Sequence, residues 1–581
     1  MNQKNEFFPE WIEEAPPKNS YRSIFKWGDP LGFKHPNKGL YHAMKEIFGM
    51  SDKDFKKPRN IGYEEVSLED KPITLDKKHI GELEVIVGKA NVKYDDYSRL
   101  CYSTGKTIEE AMELRGGMIK EVCDVTVHPR NKHEVSEVVA YCNENKIPIY
   151  VFGGGSSVNF GLRPEKGGIS LVLKTHLNRI VEINEEDQTC TVEAGIFGPA
   201  YESGLNNAKE VFGTKYNYTC GHFPQSFEYS SVGGWIVTLG SGQASSYYGD
   251  AYDIIFSGEY VTPIGTIVTE NYPACANGPR VNDIMKGSEG CFGILVEVKM
   301  KIFKYMPDNR CRFGYIFKSW EDAVNAAREI SQGEFGLPSV LRISDQEETD
   351  IGLKLYGVEG TPLETIMNVM GYRQGNRSLM LGHTEGEKNF SRNVKKQIHK
   401  IARKHGGLYL TSYPTKKWEH GRYKDPYLRE DLQDYGIVTD TLETTVRWSN
   451  LHEVHKKVRS FVKDRPGTIC MTHASHFYPY GTNLYFIYIM KMEDIEEYRE
   501  FQARIVDEII KSGGSVSHHH GVGRMLAPWM EQFHGKENMG IFRVLKKYFD
   551  PNNILNPGAQ MALDTSRDND NNYRFKKRNM K

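Results

Sequence analysis

Three consecutive histidines, His518, His519 and His520, stand in the segment SVSHHHGVGR between a glycine pair and a Gly-x-Gly motif. We call them the histidine triplet. Imidazole groups bind metal ions, transfer protons near neutral pH, or bind anions when charged. In an extended chain His518 and His520 would point to one side and His519 to the other, so at most two could share one ion without a turn. A solvated loop without a chemical role is the plain alternative.

A glycine loop, VFGGGSSVNFGL, is a second candidate for chemistry, and it directly follows the apolar stretch IPIYVF. Its glycines allow successive backbone N–H groups to turn towards one point, and two serine hydroxyls add donors, so the loop could hold a pyrophosphate. The spacing is not Gly-x-Gly-x-x-Gly, and STGKT at 103–107 lacks the upstream glycine of a P-loop. A glycine-rich turn with no ligand remains the alternative.

The segment THASHFYPYGTNLYF contains two further histidines, His473 and His476. Either could bind a metal ion, but a zinc site needs three or four converging ligands. We therefore expect no metal.

The composition limits the classes of protein that need consideration. The chain has 581 residues, of which 39% are hydrophobic, 12% aromatic and 26% charged, which predicts a globular protein of two or more domains. Lys and Arg number 75 against 76 Asp and Glu, so no basic field exists and we expect no nucleic-acid partner. Nine scattered cysteines without a Cys-x-x-Cys pair favour reduced thiols.

The apolar pattern predicts the elements that must position these groups. Residues 294–302, in ILVEVKMKIF, alternate strictly and predict a strand with one buried face. In the segment 495–509 an apolar stripe at helical spacing predicts an amphipathic helix, and Gly513 stands where a left-handed cap belongs. Beyond residue 306 such helices alternate with strands, which is typical of an α+β domain.

Further Gly/Ser clusters follow the glycine loop, in GHFPQSFEYSSVGGWIVTLGSGQASSYYGD and MKGSEGCFGIL. In this order the motifs resemble the FAD-binding domain of the vanillyl-alcohol oxidase family over roughly residues 115–305, and YFDPNNILNPG at 548–558 matches that family's closing motif. The resemblance implies an α+β fold with a two-part FAD-binding domain and an α+β cap domain, whose antiparallel sheet is flanked by helices. Several relatives attach flavin through a histidine where Ser156 and Ser157 stand here, so we expect non-covalent FAD.

The resemblance also implies which residues surround the cofactor and where the domains lie. The residues that it assigns to FAD are Gly153, Gly154, Gly155, Ser156, Ser157, Val158, Asn159, Phe223, Pro224, Gln225, Ser226, Phe227, Glu228, Tyr229, Ile236, Val237, Thr238, Leu239, Ser288, Glu289, Gly290, Cys291, Phe292, Gly293 and Ile294. We expect an N-terminal arm or helical region over 1–90, the FAD-binding domain over 91–305, the cap over 306–525, a C-terminal segment over 526–565 that packs back near the FAD domain, and a mobile tail over 566–581.

Motifs in the second half of the chain indicate which family of flavoproteins the sequence resembles. Flavin-dependent 2-hydroxyacid dehydrogenases carry a metal-binding H-x-x-x-G-N-L-H segment and a later Glu-His-Gly, whereas here Tyr485 replaces the second histidine and the later place reads HHHG at 518–521. This combination resembles the alkyl-dihydroxyacetone-phosphate synthase family. It implies a transferase that exchanges the acyl chain of acyl-dihydroxyacetone phosphate for a long-chain fatty alcohol. That exchange is the first ether-bond step towards ether phospholipids and plasmalogens, and it uses a covalent flavin N5 adduct with no net redox change.

The same resemblance assigns roles to individual side chains. Tyr485 matches the proton donor and acceptor, which requires nearby positive charge because a phenol with a pKa of about 10 is a poor base at neutral pH. Arg429 in YLREDLQDYG and Arg342 in PSVLRISD match substrate-binding arginines. The histidine triplet fits as a catalytic group that binds phosphate when charged and passes protons when neutral.

The family implies a peroxisomal location, a homodimer and peripheral contact with a membrane surface. The chain ends NMK rather than Ser-Lys-Leu, and no Arg-led signal is visible at its start. Two other functions stay open: an FAD-dependent, D-lactate-like 2-hydroxyacid dehydrogenase that passes electrons to an acceptor, and a flavin-binding scaffold without turnover.

Overall fold

The computed structural model describes residues 15–33, 38–56, 60–355 and 357–560. The tail predicted over 566–581 therefore lies outside the described residues. The chain folds into helices and strands of the α+β class, and the predicted fold class is confirmed.

The first half of the chain, up to Lys304, supplies the elements around the glycine loop. Its helices are α1 (Tyr21–Phe25), α2 (Lys38–Phe48), α3 (Lys77–Val87), α4 (Asp96–Cys101), α5 (Ile108–Arg115), α6 (Lys132–Asn145), α7 (Gly198–Asn206), α8 (Ala208–Phe212), α9 (Val232–Val237), α10 (Ser245–Tyr248), α11 (Ala251–Ile254) and α12 (Val281–Met285). Its strands are β1 (Val92–Lys93), β2 (Val125–Val127), β3 (Ile149–Phe152), β4 (Ile169–Val172), β5 (Ile180–Asn184), β6 (Thr189–Glu193), β7 (Tyr218–Thr219), β8 (Ile255–Thr262), β9 (Gly265–Val268), β10 (Ile294–Lys301) and β11 (Phe303–Lys304).

These strands form two sheets and a short ribbon. The order of the first sheet is β1-β2-β4-β3, with β2, β4 and β3 parallel, and the order of the second is β5-β6-β10-β8-β9, with all neighbours antiparallel. β11 pairs with β7. The glycine loop starts where the parallel edge strand β3 ends, at a carboxyl end where open α/β sheets bind ligands.

Local sequence explains why these elements form. Helix α6 begins after Asn131, whose side chain accepts the backbone N–H of Glu134, and it ends at Lys146 in the left-handed conformation. In β10 the alternating apolar side chains are buried and Lys301 is exposed, so the strand predicted from alternation is confirmed.

The second half supplies the cap. Its helices are α13 (Trp320–Ser331), α14 (Gln346–Leu355), α15 (Pro362–Val369), α16 (Lys388–Lys404), α17 (Tyr413–Gly421), α18 (Asp425–Gln433), α19 (Leu451–Lys463) and α20 (Ile495–Lys511). Its strands are β12 (Cys311–Phe317), β13 (Val340–Ser344), β14 (Ser378–Thr384), β15 (Leu408–Tyr409), β16 (Ile437–Arg447), β17 (Thr468–Ala474), β18 (Phe477–Tyr478) and β19 (Gly481–Lys491).

The cap strands form an antiparallel sheet in the order β15-β12-β14-β13-β17-β19-β16, with β18 paired to β19. Directly opposite residues of an antiparallel pair point to the same face. The register places Ser344 opposite His473, His473 opposite Tyr485 and Tyr485 opposite Glu443. These side chains therefore share one face of the cap sheet, and Arg342, two residues before Ser344, shares it too.

Segments from both ends of the described chain pack onto these sheets. Helix α2 buries Leu40 and Met44 in a core shared with Ile437 and Ile469 of the cap. After the cap, α21 (Met530–His534) and α22 (Lys536–Phe549) lead to a segment that runs beside β3, where the Ile149 N–H donates to the Ile554 carbonyl at 2.7 Å. Within the described residues we find no helix that combines the length and the apolar character needed to cross a membrane.

Candidate active site

A cavity of about 370 Å³ lies between the glycine loop and the cap sheet. The glycine loop lines one part of it, and Tyr485, His519, His520, Arg429 and Arg342 line another. His518 is not among the lining residues. The structure thus brings all the predicted catalytic and substrate-binding side chains except His518 to one cavity.

The residues predicted to surround FAD divide into two sets. Those that line the cavity are Gly153, Gly154, Gly155, Ser156, Ser157, Val158, Asn159, Pro224, Gln225, Ser226, Val237, Thr238, Glu289, Gly290, Gly293 and Ile294. Those that do not line it are Phe223, Phe227, Glu228, Tyr229, Ile236, Leu239, Ser288, Cys291 and Phe292. Much of the second set belongs to the core behind the wall: Phe227 stacks between Trp235 and Tyr423, and Phe292 stacks on Phe549.

The glycine loop is suited to a diphosphate. In the described part of the chain, the backbone N–H groups of residues 154–158 donate to no acceptor. A Cβ at Gly154 would lie 2.4 Å from the carbonyl oxygen of Tyr229, so only glycine allows the loop to approach this wall. A run of free N–H groups facing a cavity binds anionic oxygens, and the residues present therefore fit the phosphate groups of FAD.

Tyr485 lies in β19 at the centre of the cap face. Its phenol donates to the Oγ1 of Thr441 at 3.0 Å, and its ring is nearly parallel to those of His473 and His519, at centroid distances of 4.8 and 5.8 Å. Burial raises the pKa of Tyr485 to about 12, and the nearby charge of Arg429 only partly opposes this. The expectation that positive charge favours the phenolate is wrong for the protein alone, because desolvation outweighs it.

A buried carboxylate shapes the histidine triplet. Glu443 in β16 accepts the backbone N–H groups of His518, His519 and His520 at 2.5, 3.1 and 3.0 Å, and the hydroxyl of Ser517 at 2.6 Å. Because one carboxylate accepts three successive backbone N–H groups, the loop is curved. The Nδ1 atoms of His518 and His519 lie 2.9 Å apart. The triplet is therefore not an extended segment, so the limit of two histidines per ion that holds for an extended chain does not apply here.

The imidazoles of the triplet that line the cavity are neutral. Burial lowers the pKa of His519 well below its ordinary value, and neighbouring histidines add to the effect. Burial likewise lowers the pKa of His520, although Glu443 opposes it. A neutral imidazole can accept a proton but does not attract phosphate, so these shifts favour proton transfer over phosphate binding as the role of the triplet.

His476 completes a cluster with two members of the triplet. One ring nitrogen from each of His476, His518 and His519 lies within 4.8 Å of the others. Such a cluster can share protons or share an ion. His476 already bonds to the Oγ of Ser245 at 2.7 Å through Nδ1, and His518 bonds to the phenol of Tyr478 at 2.8 Å through Nε2. That no metal binds here stays a prediction.

The two arginines predicted to bind substrate differ in whether a carboxylate already neutralises the charge of the guanidinium group. Arg342 donates to Glu348 at 2.5 Å and lies 3.0 Å from the Nδ1 of His473, so its charge already has a partner. Arg429 in α18 donates to the carbonyl of Lys106 at 2.7 Å, while its buried Nε has no hydrogen-bond partner among the described residues. Arg429 lines the cavity and forms no salt bridge within the described part of the chain, so its charge is available to an anion.

Sequence reasoning missed several residues of the site. Glu443 and Thr441 are two residues apart in β16 and share the face of the strand that is directed to the cavity. Tyr478 and Asp250 lie behind His518, as seen from the cavity. No motif marks them. Residue type does not distinguish Glu443 either, because β16 also contains Asp440 and four threonines.

Comparison with known families defines the class. Residues 123–271 match the family described as FAD binding domain, and residues 306–559 match the family described as FAD linked oxidases, C-terminal domain. Together with the cavity they define a two-domain flavoprotein with FAD as its cofactor.

Individual relatives define the family more narrowly. The chain is 31% identical to the alkyldihydroxyacetonephosphate synthase of Dictyostelium discoideum over 91% of this chain and 92% of the relative. It is 27% identical to that of Trypanosoma brucei brucei, over 91% and 88%. A solved structure of an alkyldihydroxyacetonephosphate synthase superposes with a TM-score of 0.78 at 27% identity, covering 92% of this chain and 99% of the other. The chain belongs to the alkyldihydroxyacetonephosphate synthase family, and the resemblance stated from its motifs is confirmed.

Proposed function

We propose that the chain catalyses the exchange of the acyl chain of acyl-dihydroxyacetone phosphate for a long-chain fatty alcohol, with release of a fatty acid and no net oxidation. One observation carries the proposal: the glycine loop with its free backbone N–H groups, the phenol of Tyr485, the imidazoles of His519 and His520, and Arg429 all line one cavity. The chemistry that FAD supplies when bound is a covalent holding point for the three-carbon fragment. The free N–H groups of residues 154–158 hold its diphosphate, and serines at 156 and 157 leave the binding non-covalent.

Arg429 is the group that we assign to the substrate phosphate. Its guanidinium is fixed on one side by the Lys106 carbonyl, forms no salt bridge with a described residue and lines the cavity, which suits a charge-assisted bond to a phosphate oxygen. Arg342, already paired with Glu348, serves to orient His473 and the neighbouring substrate atoms.

Tyr485 and the cavity-lining histidines divide the proton transfers. His519 and His520 are neutral and take the proton from C1 of the substrate, which the neighbouring ketone makes acidic, and later the proton of the alcohol. Tyr485 remains protonated and donates a hydrogen bond to the departing carboxyl group. C1 regains one proton and the fatty acid leaves as its carboxylate, so each turnover releases one proton.

Three finer assignments rest on the family and belong to the same proposal: a peroxisomal location, a homodimer, and contact with a membrane surface during ether-lipid and plasmalogen synthesis. We assign the membrane contact to α15 and the residue after it, where Leu363, Ile366, Val369 and Met370 are 55%, 56%, 85% and 46% exposed. A helix face of this kind can enter a lipid interface.

The test is direct. Purified holoprotein is incubated with palmitoyl-dihydroxyacetone phosphate and labelled hexadecanol, and the ether product is measured together with the fatty acid released. We expect equal amounts of both, with no electron acceptor consumed. Bleaching of the flavin by a 2-hydroxyacid, with electrons passed to an acceptor and no ether formed, would instead favour the dehydrogenase, and binding of FAD without any turnover would favour the scaffold.

A further inference from the structure

A continuous row of hydrogen-bonded groups extends from the cavity into the protein behind the triplet. The Nδ1 atoms of His519 and His518 are 2.9 Å apart, the Nε2 of His518 lies 2.8 Å from the phenol of Tyr478, and that phenol lies 2.5 Å from the Oδ2 of Asp250. His519 lines the cavity, whereas Asp250 has no exposed surface. The row joins three segments that are distant in the sequence.

The chemistry of its last member fixes the direction of every bond in the row. An ionised carboxylate only accepts, so Tyr478 donates to Asp250 and its oxygen must accept from the Nε2–H of His518. A neutral His518 then has a bare Nδ1, which accepts the Nδ1–H of His519. His519 is left with a bare Nε2, and this nitrogen can accept a proton from the cavity.

We propose that Asp250, Tyr478, His518 and His519 form a proton relay that exports the proton released in each turnover. A proton binds the Nε2 of His519, the Nδ1 proton of His519 passes to His518, the Nε2 proton of His518 passes to Tyr478, and the phenol proton passes to Asp250. Each group gains one proton and loses one, except that Asp250 keeps the last until it leaves. The proposal rests on the proposed function, because that reaction produces the proton.

The far end of the row has a route to solvent. Tyr252 adjoins both Asp250 and Tyr478 and is 38% exposed, so its hydroxyl can hand the proton from Asp250 to water. His476 flanks the row but is not part of it, because its Nδ1 is bonded to Ser245. Glu443 holds the backbone of the triplet and thereby fixes the distance between the two histidines.

The test removes one oxygen atom from the row. In Tyr478→Phe the ring and its packing stay, but the link between His518 and Asp250 is lost. We expect kcat for ether formation to fall by about tenfold or more, with KM and FAD content unchanged, since positioned acid–base groups typically contribute 10²–10⁴-fold and other exits replace part of the relay. The solvent deuterium isotope effect on kcat should rise, because proton export then limits turnover.

The matched control is Tyr480→Phe, which removes the hydroxyl of the 75% exposed tyrosine that stacks on Tyr478 at 6.1 Å. It should leave kcat and the isotope effect unchanged. A second variant, Asp250→Asn, removes the final acceptor and should give the same fall as Tyr478→Phe. Should either variant lose FAD, ¹⁵N-histidine spectra of the wild-type holoprotein decide the matter, because the relay requires the proton of His519 on Nδ1 and that of His518 on Nε2.

Three results overturn the relay, and they are distinguishable. Wild-type protein that forms no ether overturns the proposed function and the relay together. Wild-type activity that persists in Tyr478→Phe, with an unchanged isotope effect, overturns the relay alone. Stoichiometric metal in the active holoprotein, with activity lost on its removal, means that His476, His518 and His519 hold an ion, which leaves no free nitrogen for proton transfer.

Discussion

Burial decides which side chains of the cavity carry protons. It raises the pKa of Tyr485 to about 12 and lowers that of His519, so at neutral pH the phenol is an acid and the imidazole is a base. In water at pH 7 a phenol with a pKa of about 10 is already protonated, and an imidazole with a pKa of about 6.5 is already mostly neutral. Burial therefore strengthens an assignment of acid and base that the residue types already favour.

Replacing Tyr485 with Phe should lower kcat for ether formation by at least about 10²-fold, because the phenol that donates to the departing carboxyl group is lost. The bound FAD should remain, since Tyr485 lies on the cap face and not in the glycine loop. Product formation and flavin absorbance measure the two effects. Activity close to wild type would remove this phenol from the reaction.

Glu289 should make stability depend on pH. Its carboxylate accepts the N–H groups of Val522 and Gly523 at 2.6 and 2.8 Å, yet burial raises its pKa from 4.5 to about 7. The folded state thus keeps a proton that the unfolded state loses, so this contribution is present at acid pH and is lost as pH rises from about 4.5 through 7. At roughly 1.4 kcal/mol per pH unit, the loss is about 3 kcal/mol.

Unfolding of the holoprotein between pH 4.5 and 8 tests this. In Glu289→Gln the side chain cannot ionise, and the fall in unfolding free energy over that interval should shrink by about 3 kcal/mol. Glu137→Gln, at a half-exposed helix position, is the control and should keep the wild-type slope. Equal slopes in Glu289→Gln and wild type would mean that Glu289 is already ionised at acid pH.

Sequence alone could identify the residues that belong to recognisable motifs. It could not identify the residues that hold those motifs in position. Tyr485, Arg429 and the triplet follow from motifs, and the structure places them at one cavity or, for His518, directly behind it. Glu443 carries no motif, since its function depends on backbone N–H groups that lie about seventy residues further along the chain. Bonds to backbone leave no trace in residue types, so sequence reasoning could not find them.

Among the elements, the loop from Ser515 to Gly523 connects the two halves of the site. Glu443 of the cap holds its first part, and Glu289 and Asn159 of the flavin side hold its second, with the Asn159 amide donating to the His520 carbonyl at 2.8 Å. Two carboxylates, one from cap strand β16 and one from the turn before β10, thus fix a loop that has no secondary structure of its own. This explains why a glycine-rich loop can position catalytic imidazoles.

Gly523→Ala should disrupt this loop. A Cβ at Gly523 would lie 2.0 Å from the Asn159 carbonyl oxygen, and the residue has a φ of +53°. The loop must shift away from the flavin side, at a cost of about 1–3 kcal/mol or more. The midpoint temperature of thermal unfolding and the FAD content should both fall. The kcat of the protein that still binds FAD should fall as well.

Gly540→Ala, inside α22, is the matched control. No heavy atom lies within 4 Å of its added Cβ, and alanine favours a helix, so stability should stay equal or rise. A Gly523→Ala variant as stable and active as this control would show that the loop tolerates displacement.

A helix or strand could be predicted from the sequence where its own apolar pattern determines it. Strand β10 and helix α20 appear where alternation and the apolar stripe predicted them, and Gly513 has the predicted left-handed φ of 91°. The short helices α9 to α11 were not predicted, because they are only 6, 4 and 4 residues long and so cannot show the periodic apolar stripe of an amphipathic helix.

For the molecule as a whole, a buried ionic cluster ties the N-terminal arm to the cap. Asp434 accepts from Arg22 at 2.9 Å and from Arg115 at 2.6 Å, and Arg22 and Asp434 have no exposed side-chain surface. Asp434 directly follows α18, the helix that carries Arg429. The cluster thus holds α18 against the arm.

Asp434→Asn should destabilise the holoprotein by about 3–5 kcal/mol, because it removes the carboxylate that two buried guanidinium groups share and leaves Arg22 with its 3.5 Å contact to Asp431. Denaturant unfolding measures the change. Asp464→Asn, at an exposed position, should change stability by less than about 0.5 kcal/mol. If the two variants unfold alike, the arm contributes no ionic stabilisation.

The contact between Arg22 and Asp434 spans 412 residues of sequence, and for that reason no local pattern could predict it. Composition and resemblance predicted the α+β class, whereas the way in which the arm, the sheets and the last helices meet required the structure.

The pairing of Ile149 with the segment Ile554 to Asn556 has a consequence for biosynthesis. Strand β3 acquires this neighbour only after α22 has been translated, and Ile149 also accepts from the N–H of Asn556 at 2.8 Å. A fragment that stops anywhere within the cap therefore lacks this neighbour of β3, the strand from which the glycine loop starts. Premature stop codons within the cap should yield colourless fragments, because the strand beneath the glycine loop is left with an unpaired edge.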